Sequence, residues 1–175
     1  HCLNRESGEV IWQRDLKTDF KVAKALFGVG ASPLLEEDRL IFNIGGTMPD
    51  SGIVALSLED GQTLWSATND GPSYCTPTAA TIHGRRFVFV LTYEGLVALD
   101  PADGTVHFQI PFRPTANDTV NATSPLVVGN CVFLAAGPGP GCRLIEIQPD
   151  GTPKELWRNR RALDSQFNNL VALNG

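Results

Sequence analysis

Short apolar runs separated by polar turns carry this chain from end to end. Phe87-Val88-Phe89-Val90-Leu91 and Val132-Phe133-Leu134-Ala135 are apolar at successive positions instead of alternating. Runs this brief, rich in β-branched and aromatic residues, predict strands, and strands apolar on both faces must be covered on both sides. No stretch shows a capped 3.6-residue apolar period. Helix is therefore expected to be scarce, with one short turn around Val22 to Leu26.

The runs fall into a repeat. CLNRESGEVIW, VALSLEDGQTLW, VALDPADGTVHF and LIEIQPDGTPKELW each join a strand, a polar turn ending in glycine and a strand carrying an aromatic ring. The turn glycines Gly8, Gly61, Gly104 and Gly151 lie 53, 43 and 47 residues apart, and the rings are Trp12, Trp65, Phe108 and Trp157. Ser32-Pro33, Thr76-Pro77 and Ser124-Pro125 mark the same period, with prolines 44 and 48 residues apart. A period of roughly 40–50 residues signals an array such as propeller blades. In the middle unit the strands read Thr78 to Ile82, Phe87 to Thr92, Leu96 to Asp100 and Thr105 to Ile110, with turns at His83-Gly84, Glu94-Gly95 and Asp103-Gly104. The fold class is all-β: a partial β-propeller, an open arc of four-stranded antiparallel blades. Residues 1–16 read as the end of one blade, 32–66, 76–110 and 124–158 as whole blades, and 167–175 as the first strand of the next. Propellers close with four to eight blades, so the chain is expected to be a piece of a longer protein.

The motif A-L-D-x-x-x-G-x-x-x-W is nearly complete at Ala98-Leu99-Asp100 with Gly104 and Phe108, and at Ala55-Leu56-Ser57 with Gly61 and Trp65. On these residues the whole chain resembles propellers with repeats like those of pyrroloquinoline-quinone (PQQ) enzymes. That class includes an outer-membrane assembly lipoprotein as well as quinoprotein dehydrogenases. The resemblance implies that each tryptophan docks against the glycine-containing peptide of the next blade, with Phe108 a weaker substitute. Asn4, Ser57 and Gln148 depart from the motif's aspartate, and Trp157 stands six residues after its glycine where the others stand four. It also implies an exported protein, periplasmic or at the cell surface. Two functions follow from it: a non-catalytic scaffold presenting loops to a protein or small ligand without a cofactor, or part of a PQQ- and calcium-dependent alcohol dehydrogenase. The dehydrogenases often carry a disulfide between adjacent cysteines, and no Cys-Cys pair occurs in this sequence.

Net charge is −5 with Lys and Arg scattered, which argues against a nucleic-acid surface. No apolar run approaches the roughly 20 residues of a membrane helix. Cys2, Cys75, Cys131 and Cys142 lack metal-ligand spacing. Cys2 aligns with Ala55 and Ala98, where a small packed thiol fits. A symmetric hairpin about Gly137 to Gly141 would set Cys142 opposite Ala136 and Cys131 opposite Ile147, out of register for a disulfide. Asp100 to Gly104 has turn chemistry without the rest of a calcium loop, and Gly137 to Gly141 lacks the lysine and helix of a phosphate loop. His83 and His107 read as solvated. Asn117-Asp118-Thr119 and Asn121-Ala122-Thr123 are sequons of a kind that arises by chance.

The remaining chemistry sits on loops expected to gather at one end of the blades: Lys17 to Ala31, Ala67 to Cys75, Pro111 to Thr123 and Arg158 to Gln166, with hairpin loops Gly45 to Gly52 and Gly137 to Gly141. Loops on a rigid scaffold commonly carry function. Arg113, Arg158, Arg160 and Arg161 suit an anion, while Asn117, Asp118 and Asn121 offer oxygens to a cation. Arg113, Asn117, Asp118, Asn121 and Arg160 are thus the candidate ligand-binding residues.

Overall fold

The computed structural model describes residues 1–23, 28, 30–115 and 119–173. β1 (Cys2–Leu3) pairs with β2 (Val10–Trp12), and three four-stranded sheets follow. The first blade is β3 (Leu34–Glu36), β4 (Arg39–Asn43), β5 (Ile53–Ser57) and β6 (Thr63–Ala67). The second is β7 (Thr78–Ile82), β8 (Arg85–Leu91), β9 (Gly95–Leu99) and β10 (Val106–Pro111). The third is β11 (Leu126–Val128), β12 (Cys131–Ala136), β13 (Gly141–Ile147) and β14 (Pro153–Asn159). In each blade the strands lie side by side in chain order, and every pair is antiparallel. The molecule is an all-β partial propeller.

The second blade shows why its inner strands do not alternate. Phe87, Phe89 and Leu91 of β8, with Leu96 and Ala98 of β9, pack in one cluster with Val132, Leu134 and Ile145 of the third blade. Val88 and Val90, with Val97 and Leu99, pack in another with Ile41, Ile53 and Ala55 of the first. Successive side chains of a strand point to opposite faces, so a sheet held between two others needs apolar residues at every position. Across the first junction Arg86 also forks onto buried Glu36, with Nε and Nη2 donating at 2.6 and 2.7 Å.

The hairpins joining third and fourth strands share one plan. Gly8, Gly61 and Gly104 donate their N–H to the carbonyls of Asn4, Ser57 and Asp100, four residues back. The side chains at those positions accept further turn N–H groups: Asn4 from Glu6 and Ser7, Ser57 from Glu59 and Asp60, Asp100 from Ala102. Asparagine, serine and aspartate are interchangeable there because each offers a short acceptor. Gln148 is too long to fold back so closely and bonds Glu146 instead. In that turn Gly151 donates to the Gln148 carbonyl three residues back, so the turn is one residue tighter. Cys2, Ala55 and Ala98 face Trp12, Trp65 and Phe108 across their hairpins, whereas Leu144 faces Trp157, which is 45% exposed.

Two expectations are corrected, and a third falls partly outside the described residues. A helical turn forms at α1 (Leu16–Asp19), ahead of the expected segment, because the Asp15 carboxylate accepts from the Thr18 hydroxyl (2.6 Å) and N–H (3.4 Å) and so caps it. Val22 is buried with Phe20, Ile44 and Val54, and residues 24–27 lie outside the described ones. In the β12–β13 hairpin Gly141, not Cys142, faces Ala136, since Gly141 joins the strand at φ +65°; Cys142 faces Ala135 and Cys131 faces Glu146. All four cysteines are free. Residues 167–173, the described part of the segment read as a first strand, form none.

Candidate functional site

The loops at one end of the blades do meet. Thr47, in the β4–β5 loop, donates to the Phe20 and Lys21 carbonyls on one side, while Gly52 donates to Thr68 on the other. Thr115 donates to Pro138 across to the β12–β13 loop, and Thr123 Oγ1 reaches Ser165. Each hairpin loop is held between a preceding and a following blade connection.

At the first junction of this rim the ionisable groups are acidic and already occupied. The Thr92 hydroxyl donates to Asp70 at 2.8 Å, and Gly71 N–H donates to Glu94 at 2.7 Å. At the second junction they are basic. A cavity of about 260 Å³ opens between the β10–β11 connection and the third blade, lined by Phe112, Arg113, Pro140, Arg143, Arg158 and Arg160 among others. Arg113 stacks 4.0 Å over the Tyr93 ring and donates to its hydroxyl at 2.6 Å, which fixes its guanidinium at the rim. The Arg143 side chain is 12% exposed, its guanidinium 5.6 Å from the centre of the Phe112 ring. Its Nε lies 2.9 Å from Glu155 Oε2 but out of line, so the buried Nε–H has no aligned acceptor. Arg158 shares the same carboxylate at 3.4 Å. Burial pulls the Arg143 pKa down; Glu155 opposes this, and Arg158 and Arg160 add to it.

Of the sequence-predicted residues, Arg113 and Arg160 come together at this cavity, joined by Arg158. Asn121 does not: it is 1% exposed, and its amide donates at 2.8 Å to the carbonyls of both Thr92 and Phe112. It lies inside the junction, not at the cavity. Asn117 and Asp118 lie outside the described residues. Arg161 stays exposed at the surface. Sequence reasoning missed Arg143 and Glu155. The signal was Arg143 itself, a cation at the strand position where β5 and β9 carry buried Val54 and Val97.

The histidines and thiols are occupied otherwise. His107 packs edge-on against Phe87 with its Nε2 buried, not solvated as its place on an outer strand suggested. His83 sits 3.0 Å from the Ile147 carbonyl of the third blade. Burial pushes the Cys75 thiol up to about 12, so it is inert packing. Among the described residues no group of three or more His, Cys, Asp or Glu is placed to hold a metal ion, and no helix is long and apolar enough to cross a membrane.

Stacked four-stranded antiparallel blades with this repeat define a β-propeller of the PQQ-like class. A family model described as outer membrane protein assembly factor BamB matches residues 1–175, and the chain belongs to that family. Among solved structures it is similar to BamB from Moraxella catarrhalis, with a TM-score of 0.58 and 18% identity over 86% of this chain and 44% of that one. The chain thus spans less than half of that protein's length, and at this identity the likeness is one of fold. Comparison with curated proteins gives no match.

Proposed function

We propose that the protein is a non-catalytic scaffold of an exported bacterial protein, periplasmic or at the cell surface, which binds a partner through the loop end of its blades. The observation that carries this reading is the interlocked rim, in which loops from successive blades are tied together on sheets closed by buried cores. A rim fixed in this way meets a partner without the ordering cost that mobile loops incur. Membership of a family described as an assembly factor supports a protein partner. Trp12 and Trp65 act in this reading as locks between blades, their indole N–H groups donating to Leu58 and Pro101 carbonyls at 3.0 and 2.9 Å.

The dehydrogenase reading is less well supported. Calcium takes six to eight oxygen ligands, yet the cavity beside Phe112 is lined by guanidinium groups that repel a divalent cation, and Asn121 is buried and not among its lining residues. Among the described residues the donor set does not suit the calcium ion that the dehydrogenase reading requires. A photo-crosslinking amino acid placed at Thr115 or Asn69 of the rim, and at Glu59 or Ala102 of the opposite turns, tests the scaffold reading in the intact protein within its native cells. Partner adducts are expected from the rim alone. Adducts confined to the opposite turns would overturn it.

A further inference from the structure

The loop-end reading leaves the chemistry of the partner open, and the second junction narrows it. Arg113, Arg143, Arg158 and Arg160 line one cavity in a chain whose net charge is −5. Among the described residues Glu155 is the one carboxylate in ion-pair contact with them, divided between Arg143 and Arg158. Arg160 and Arg113 make no ion pair among the described residues, and Arg113 donates to the Tyr93 hydroxyl. Like charges held together with a buried, unaligned N–H are costly, and the blade's packing does not call for a cation at Arg143, since buried Val54 and Val97 serve at the matching position of the other two blades. The corresponding carboxylates of the first junction, Asp70 and Glu94, are satisfied from within. Among the described residues, the second junction has guanidinium donors to spare.

We propose that this cavity is a docking site for an acidic peptide segment of a protein partner, which places aspartate or glutamate carboxylates against Arg160, Arg113 and the inner Arg143. This rests on the loop end being the binding face. Guanidinium forks match carboxylates in bidentate geometry, and Phe112 and Pro140 give apolar wall for a peptide's methylene groups. The volume lies below the roughly 300–1,000 Å³ of pockets that enclose a whole small molecule, so it fits side-chain ends of a longer chain. Glu155 then acts as an internal stand-in for the ligand, competing for two of the four cations.

The test is fluorescence anisotropy of the intact protein with a labelled hexaglutamate peptide, against hexaglutamine and with inorganic phosphate as competitor. Arg160→Gln and Arg113→Gln, both at exposed side chains, are expected to weaken binding by roughly tenfold each, the scale of one charge-assisted contact. Glu155→Gln is expected to tighten it severalfold by releasing Arg143 and Arg158. Arg5→Gln, an equal loss of charge in the β1–β2 turn, is expected to change nothing. Equal weakening by Arg5→Gln, no weakening by Arg160→Gln, or displacement by phosphate at the peptide's own concentration would each overturn the proposal. Crosslinks from Thr115 that persist in Arg160→Gln would then leave the loop-end reading standing, whereas their absence in the unsubstituted protein removes both.

Discussion

The junction between the first and second blades and the one between the second and third are assembled from equivalent strands, yet they close differently at both ends. At the turn end of the first, the Trp65 ring lies against the Gly104 peptide, so close that a Cβ there would stand 2.6 Å from it, and the indole N–H reaches Pro101. At the second, Phe108 has no N–H to give; the Arg85 guanidinium covers Gly151 and His83 reaches the Ile147 carbonyl instead. At the loop end, the acids of the first junction accept hydrogen bonds from within it, while the second gathers arginines around a cavity. The first junction thus closes with a tryptophan against a glycine peptide, whereas the second has a phenylalanine there and a charged cavity at its other end. Repeats that share a fold can diverge in this way, because each blade's core depends only on its neighbours.

The contrast breaks most directly at the aromatic rings. Trp65→Ala, removing a side chain 8% exposed, is expected to cost about 3–5 kcal/mol in denaturant unfolding of the intact protein. Phe108 is half-buried and donates nothing, so Phe108→Ala should cost distinctly less. Equal losses would show that the two junctions are locked alike.

A second measurement separates structural from ligand roles within the second junction. Asn121→Ala leaves the Thr92 and Phe112 carbonyls without their donor, and each orphaned buried group costs about 1–3 kcal/mol. Unfolding should move to lower denaturant, while hexaglutamate binding at the protein's folded concentration stays within about twofold. Unchanged stability would return Asn121 to the list of ligands.

The repeat made the blades legible because glycine, proline and tryptophan punctuate them at fixed offsets, each for a backbone reason. Gly61 and Gly104 combine positive φ with a ring pressed on the peptide, so no other residue fits, and their spacing exposes the architecture. The site was only half legible. Arg113 and Arg160 are recognisable as loop cations, but the cavity depends on Arg143, a strand residue whose meaning appears only when β13 is set beside β5 and β9. Asn121 shows the opposite failure: a polar loop residue reads as exposed unless one knows that its connection dives between blades to pair with two carbonyls. The tight Gln148–Gly151 turn likewise shifted the register of the third blade, and so hid that Leu144, not a small residue, stands opposite Trp157.

The smallest expected effect concerns what both junctions share. Asp60, Asp103 and Asp150 each precede a turn glycine, and all three are held below the usual aspartate value. For Asp60 and Asp103 the main cause is the N–H of Gln62 or Thr105 two residues on, donating at 3.0 and 2.8 Å; for Asp150 it is the Thr152 hydroxyl at 2.7 Å. A carboxylate whose folded pKa is depressed stabilises the fold fully above its unfolded value, near pH 4, and loses that contribution as pH falls through the lower folded value. The asparagine triple variant D60N/D103N/D150N keeps an acceptor oxygen at each turn but cannot titrate. Between about pH 5 and pH 2.5 the unsubstituted protein should therefore lose more of its denaturation midpoint than the variant. Because the three turns sit one to a blade, the loss should divide among single variants instead of following the tryptophan-locked junction. Parallel acid curves for protein and triple variant would mean that the turn carboxylates bind their protons alike in the folded and unfolded chain.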